Sequence, residues 1–157
     1  MPSLRLTNVT RDKQFWNDQF ALIEHMLKHK GFLVFQGPWE EDRVELEDDV
    51  KTVFINSKCW PETRFYTLLH ELGHVMISED PTTFEKENPM YVFASAENND
   101  GRKQRSKMYR VSLISEEIEA WKIGRRVANT LGLYVDDEKY NKHMTENVMS
   151  YITWASE

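Results

Sequence analysis

The chain has 157 residues, 40% of them hydrophobic and 12% aromatic, which is enough for one domain with its own core. A formal net charge of −6 and a pI near 5.4 give no electrostatic footprint for nucleic acid, and no apolar run approaches membrane-spanning length. Cys59 is the single cysteine, which excludes an intrachain disulfide, and the segment from Met1 to Leu6 lacks the apolar core of a signal peptide, so a cytoplasmic protein is expected.

The first expected element is an amphipathic helix over 12–30, with Phe15, Trp16, Phe20, Ile23, Met26 and Leu27 at helical spacing and Gly31 at the cap. His25 and His29 lie four apart on it, but neither is followed by Glu, and they read as surface or packing residues. Three strands are expected at 32–36, 43–47 and 50–55, joined by Gly37-Pro38 and by an acidic stretch that begins at Glu40 and reads as solvated. They predict a small, mostly antiparallel sheet whose edge can pair with an extended peptide. Pro61 and Glu62 open a helix over 61–78 that must stop before Pro81.

Residues 79–111 read as largely irregular, with a possible short strand at Tyr91-Val92-Phe93 and a mobile polar loop at 97–108. Arg102, Lys103, Arg105 and Lys107 make the only basic cluster there, a solvated loop or, less simply, a docking segment for an acidic protein substrate. A helix over 112–131 ends at Gly132, and a last helix over 136–154 carries Tyr140, Met144, Val148, Tyr151 and Ile152 as expected core positions. The pattern predicts one α+β domain over 1–157 and shows no internal repeat.

The helix over 61–78 contains His70-Glu71-Leu72-Gly73-His74, an H-E-x-x-H sequence. Side chains four apart stack on one helical face, so His70 and His74 can both address one metal ion, and Glu71 can serve as general base. Zinc at such a site is a Lewis acid that brings the pKa of its water to roughly 7. Leu68, Leu69, Leu72, Val75 and Met76 form an apolar stripe away from the histidines. Gly73 costs about 1 kcal/mol relative to alanine inside a helix, which points to close approach of another backbone or of substrate.

A catalytic zinc expects three protein ligands. The only later histidine, His143, is too distant for the short-spaced histidine type, so a glutamate from Glu116, Glu117 or Glu119 is favoured. Glu117 shares its face with Ala120, Trp121, Gly124 and Ala128, three of them small, and such a face can approach another helix closely. Glu119 shares a face with Lys122 and Arg126, the pattern of a solvated ion pair. Glu116, above Ala120, Ile123 and Val127, stays open as a weaker alternative to Glu117.

Phe54-Ile55-Asn56, the run from Phe65 to His74, and the run from Glu117 to Gly124 together resemble the zinc-peptidase domain of the ImmA/IrrE family. There a strand ending in Asn precedes a helix reading approximately R-F-T-L-A-H-E-L-G-H, and a later helix reads approximately E-x-E-A-N-x-F-A. The resemblance covers about residues 50–130 and departs from the family with Trp121 in place of Asn, with Gly124 in place of Ala, and in lacking the Leu-Leu-Met-Pro run that often follows. It implies a small zincin-like domain of the glutamate-zincin class, one Zn2+ per chain held by His70, His74 and Glu117, and Glu71 as the catalytic residue. Family members cut repressor-type regulators, which implies a protein or peptide substrate; the charge and hydropathy above lead to neither nucleic acid nor membrane being expected as partner.

The expected function is therefore zinc-dependent hydrolysis of peptide bonds. The alternatives are a catalytically silent protein of the same fold that sequesters a partner, and a small-amide or cell-wall hydrolase. A donor to the oxyanion is also required, and Tyr91, Tyr109 and His143 are the candidates.

Overall fold

Asp12 accepts a hydrogen bond from the Phe15 backbone at 2.9 Å and so starts α1 (Lys13–His29). Gly31, at φ 87, turns the chain out of that helix into β1 (Phe32–Gly37). β2 (Arg43–Glu47) and β3 (Val50–Asn56) follow as a hairpin turned at Asp49, whose φ is 67. The structure is a computed structural model that describes residues 10–38, 41–47, 49–88 and 107–157. The strand expected at Tyr91 to Phe93, most of the loop expected at 97–108, and Tyr91 as an oxyanion donor lie outside the described residues.

All three strands form as expected, but the sheet is mixed rather than mostly antiparallel. The strand order is β1-β3-β2, with β1 parallel to β3 from Phe32↔Lys51 to Gly37↔Asn56, and β2 antiparallel to β3 from Arg43↔Phe54 to Glu47↔Val50. Burial explains the order. β3 brings Val53 and Ile55, both fully buried, and takes the centre, whereas the charged Arg43 and Glu45 suit β2 to an edge.

α2 (Pro61–Glu79) carries the H-E-x-x-H sequence, and α3 (Pro81–Glu87) follows at once, capped by the Asp80 side chain on the Thr83 backbone. The stretch expected to be irregular from 79 to 111 is thus helical over 81–87 and again from Lys107, where α4 (Lys107–Thr130) begins. α5 (Asp137–Ser156) closes the α+β domain, with Asp136 capping it through the Lys139 backbone. Among the described residues no helix is long and apolar enough to cross a membrane.

The larger core cluster is built from Trp16, Phe20, Ile23 and Leu27 of α1, from β3, and from the apolar stripe of α2, and a smaller one joins Ile77, Phe84 and Ala120. Two polar ties hold the last helix in place. Tyr66 donates to Glu62 at 2.9 Å and accepts from the Asp136 backbone at 3.0 Å, and Tyr140 donates to the Trp121 carbonyl at 2.5 Å. Gln19 pins the α4–α5 connection from the other side, donating to the Tyr134 carbonyl at 2.9 Å and accepting from its N–H at 2.7 Å.

Because Gln19 is only 6% exposed, Gln19→Ala strands both backbone groups of Tyr134 and is expected to cost about 1–3 kcal/mol in urea unfolding. Gln14→Ala removes an amide that bonds the exposed Asp18 carboxylate and should leave the urea midpoint within error. Equal effects of the two would refute the pin.

Candidate metal centre

The apolar and chemical sides of α2 separate by helical period. Leu68, Leu69, Leu72 and Val75 are fully buried in the core, whereas His70, Glu71 and His74 face α4 and an adjoining cleft. Glycine sets how near the two helices come. A Cβ on Gly73 would stand 2.0 Å from the Ala120 carbonyl oxygen, and one on Gly124 would stand 2.3 Å from that of Leu69. Contacts at 69 with 124 and at 73 with 120 make the helices antiparallel and in touch at four-residue steps, so backbone meets backbone. Gly73 thus answers its helix cost as expected, and the small face read on Glu117, Ala120 and Gly124 is the one that docks.

This docking carries Glu117 onto both histidines. His70 Nε2 lies 2.8 Å from Glu117 Oε2, His74 Nε2 lies 3.1 Å from Glu117 Oε1, and the two Nε2 atoms are 3.1 Å apart. His70, His74 and Glu117 can therefore hold a metal ion, with one ligand atom from each and all three within 4.8 Å of one another. The donor set fits. Metal–ligand bonds of about 2.0–2.1 Å at tetrahedral angles separate ligand atoms by about 3.3 Å, close to the distances found.

The neighbours of the ligands are also in place. Glu116, the weaker candidate for third ligand, lies 3.3 Å from His74 Nδ1, on the far side of the ring from Glu117, so it orients that ring instead. Trp121 stacks on His70 with centroids 4.4 Å apart and planes 10° from parallel. Its indole N–H donates to Asn147 of α5 at 3.0 Å, so a flat wall held by the last helix stands against the His70 ring. Glu71 is 4% exposed, its Oε1 3.5 Å from His70 Nδ1. Glu119 points elsewhere: it pairs with Arg126 at 2.9 Å and lines a separate cavity of about 510 Å³.

Burial acts against charge on His74, but Glu116 and Glu117 outweigh it and raise its pKa to about 10. Burial works upward on Glu117 too, yet the two histidines bring its carboxyl down to about 2. His70 is likewise raised against burial, first by Glu117 and then by Glu71.

These shifts have opposite signs for the two states of the protein. Without metal, the His74 contribution to stability is complete below its ordinary 6.5 and disappears as pH rises through about 10, while that of Glu117 is complete above its ordinary 4.5 and disappears as pH falls through about 2. Metal binding must instead expel the His74 proton, so apparent zinc affinity should rise about tenfold per pH unit per displaced proton between pH 6 and 9. Competition titrations against a chromogenic chelator measure it, and a flat profile would contradict the pairing described.

A cleft of about 870 Å³ opens over the centre, with β2 and the residues before it on one side and α5 on the other. His143 lines it, as expected of a possible oxyanion donor, and Tyr109 does not. A candidate donor that sequence reasoning missed is Tyr151, which had read as a core position. Tyr151 lines the cleft, and burial first, then the Glu117 carboxylate with which it interacts, push its phenol upward, so its O–H remains a donor. The signal was available in its helix face, since His143, Asn147 and Tyr151 recur every four residues and are not an apolar stripe. Comparison of the chain with family models, with curated proteins and with solved structures finds no match.

Proposed function

We propose that this chain is a zinc-dependent metallopeptidase of the glutamate-zincin type, with an ImmA/IrrE-like centre. The observation that carries the reading is the convergence of His70, His74 and Glu117 within 4.8 Å beside the buried Glu71. Two imidazoles and one carboxylate are a donor set suited to zinc. When bound, zinc would supply a Lewis acid for the scissile carbonyl and lower the pKa of a coordinated water.

The chain's own residues supply the rest. Glu71 takes the proton of the attacking water and passes it to the leaving amine, so that water adds across the C–N bond with hydroxyl to carbon and hydrogen to nitrogen. Glu116 and Trp121 hold the two imidazoles in orientation. Tyr151 donates to the oxygen that gains charge as the carbonyl becomes tetrahedral. The outer edge of β2 faces the cleft and can pair with an extended substrate backbone, which favours a polypeptide over a small amide.

Elemental analysis of the purified protein tests the metal, and a fluorescence-quenched peptide library tests the reaction. About one zinc per chain is expected, lost in Glu117→Ala and kept in Glu119→Ala, with cleavage abolished by a chelator and restored by zinc. Zinc retained without cleavage of any peptide would favour the sequestering protein, and no tightly held metal would reject the centre.

A further inference from the structure

The two sides of the cleft carry charge that the metal centre does not use. At the metal centre Glu71 and Glu117 would balance a divalent ion, and Glu116 is taken up by His74. Asp42 accepts from the Asn56 backbone at 2.5 Å. Glu41 and Glu146 remain, both exposed, one before β2 and one on α5, and among the described residues neither has a cationic partner. Among the described residues the single arginine lining the cleft, Arg43, is committed to Glu45 at 2.7 Å and to the face of Phe54 at 4.2 Å. Glu41 and Glu146 line the same cleft, one from each side.

An extended backbone entering this cleft meets the outer edge of β2, since among the described residues β2 pairs with β3 alone. Its side chains alternate between the two faces of the added strand, so successive residues reach toward different sides. Carboxylates of one sign on opposite sides of a cleft, without a cationic partner, favour a cation there and disfavour an anion.

We infer that the cleft selects extended polypeptide segments bearing lysine or arginine close to the bond that lies over His70 and His74, with Glu41 and Glu146 reading the basic side chains. The inference rests on the metallopeptidase reading for where the cut falls, but its test separates binding from cleavage.

The probes are three fluorescein-labelled decapeptides of equal length and apolar content, carrying two arginines, two glutamines or two glutamates. Binding is measured by fluorescence anisotropy on the zinc-loaded Glu71→Gln protein, with and without Glu41→Gln and Glu146→Gln, and cleavage on the wild-type protein. The arginine peptide should bind about tenfold tighter than the glutamine peptide, the glutamate peptide should bind weakest, and the two exposed-carboxylate substitutions together should erase the preference.

An arginine peptide that binds no better than the glutamate peptide, or a preference undiminished in the doubly substituted protein, overturns the inference. Selective binding without cleavage upholds it and rejects the peptidase. Cleavage indifferent to charge upholds the peptidase and rejects the selectivity.

Discussion

Glu71→Gln is expected to lower kcat/KM on any peptide the protein cuts by about 10³-fold while zinc content stays at the wild-type level. Glu71 is 4% exposed and sits next to His70, close enough for Oε1 to lie 3.5 Å from His70 Nδ1. Glutamine matches its volume and keeps one carbonyl oxygen, so packing against α4 and the cleft persists. Only the capacity to accept a proton is removed. Because the atoms that could hold the metal belong to His70, His74 and Glu117, metal affinity has no reason to change in the same degree. Turnover on the most rapidly cut library peptide and metal by elemental analysis measure the two quantities side by side. Loss of metal along with turnover would make Glu71 a structural partner of His70, and retained turnover would remove the general base from the mechanism.

The chemical half of this centre was legible because its rule is local. His70 and His74 four apart, with Glu71 between, need only helical periodicity, and Glu117 emerged from the small residues that follow it at helical spacing. Gly73 was legible for the same reason, as a residue whose helix cost had to be answered by a neighbour. What escaped depends on contacts between distant elements. The parallel pairing of β1 with β3 follows from which strand has most to bury, a competition among three strands that none of them states alone. α3 is short, opened by Pro81 and the Asp80 cap, and buries one residue, Phe84, so no apolar period announces it. Glu116 and Tyr151 acquire their parts only when α4 and α5 close on α2, through Trp121, Asn147 and Tyr140.

Gly73→Ala sets two effects of opposite sign against each other, and their sizes decide which wins. Helix propensity alone would stabilise the variant by about 1 kcal/mol. Against it, the new methyl would stand 2.0, 2.6 and 2.7 Å from the O, C and Cα of Ala120, all backbone atoms that cannot rotate away. α2 and α4 must then separate by more than an ångström along the contact that also seats Gly124 on Leu69, loosening the buried Leu69, Ala120 and Trp121 together. The expected net loss is about 3 kcal/mol or more in denaturant unfolding, beyond ordinary overpacking because the obstacle is main chain. Zinc affinity should fall with it, since the same separation draws Glu117 away from His70 and His74. Adding Ala120→Gly removes a methyl that the clash does not involve, so it should not restore either property. A Gly73→Ala protein as stable as the wild type, or rescue by Ala120→Gly, would show that the helices are not held backbone to backbone and that some other contact sets the distance on which the metal centre depends.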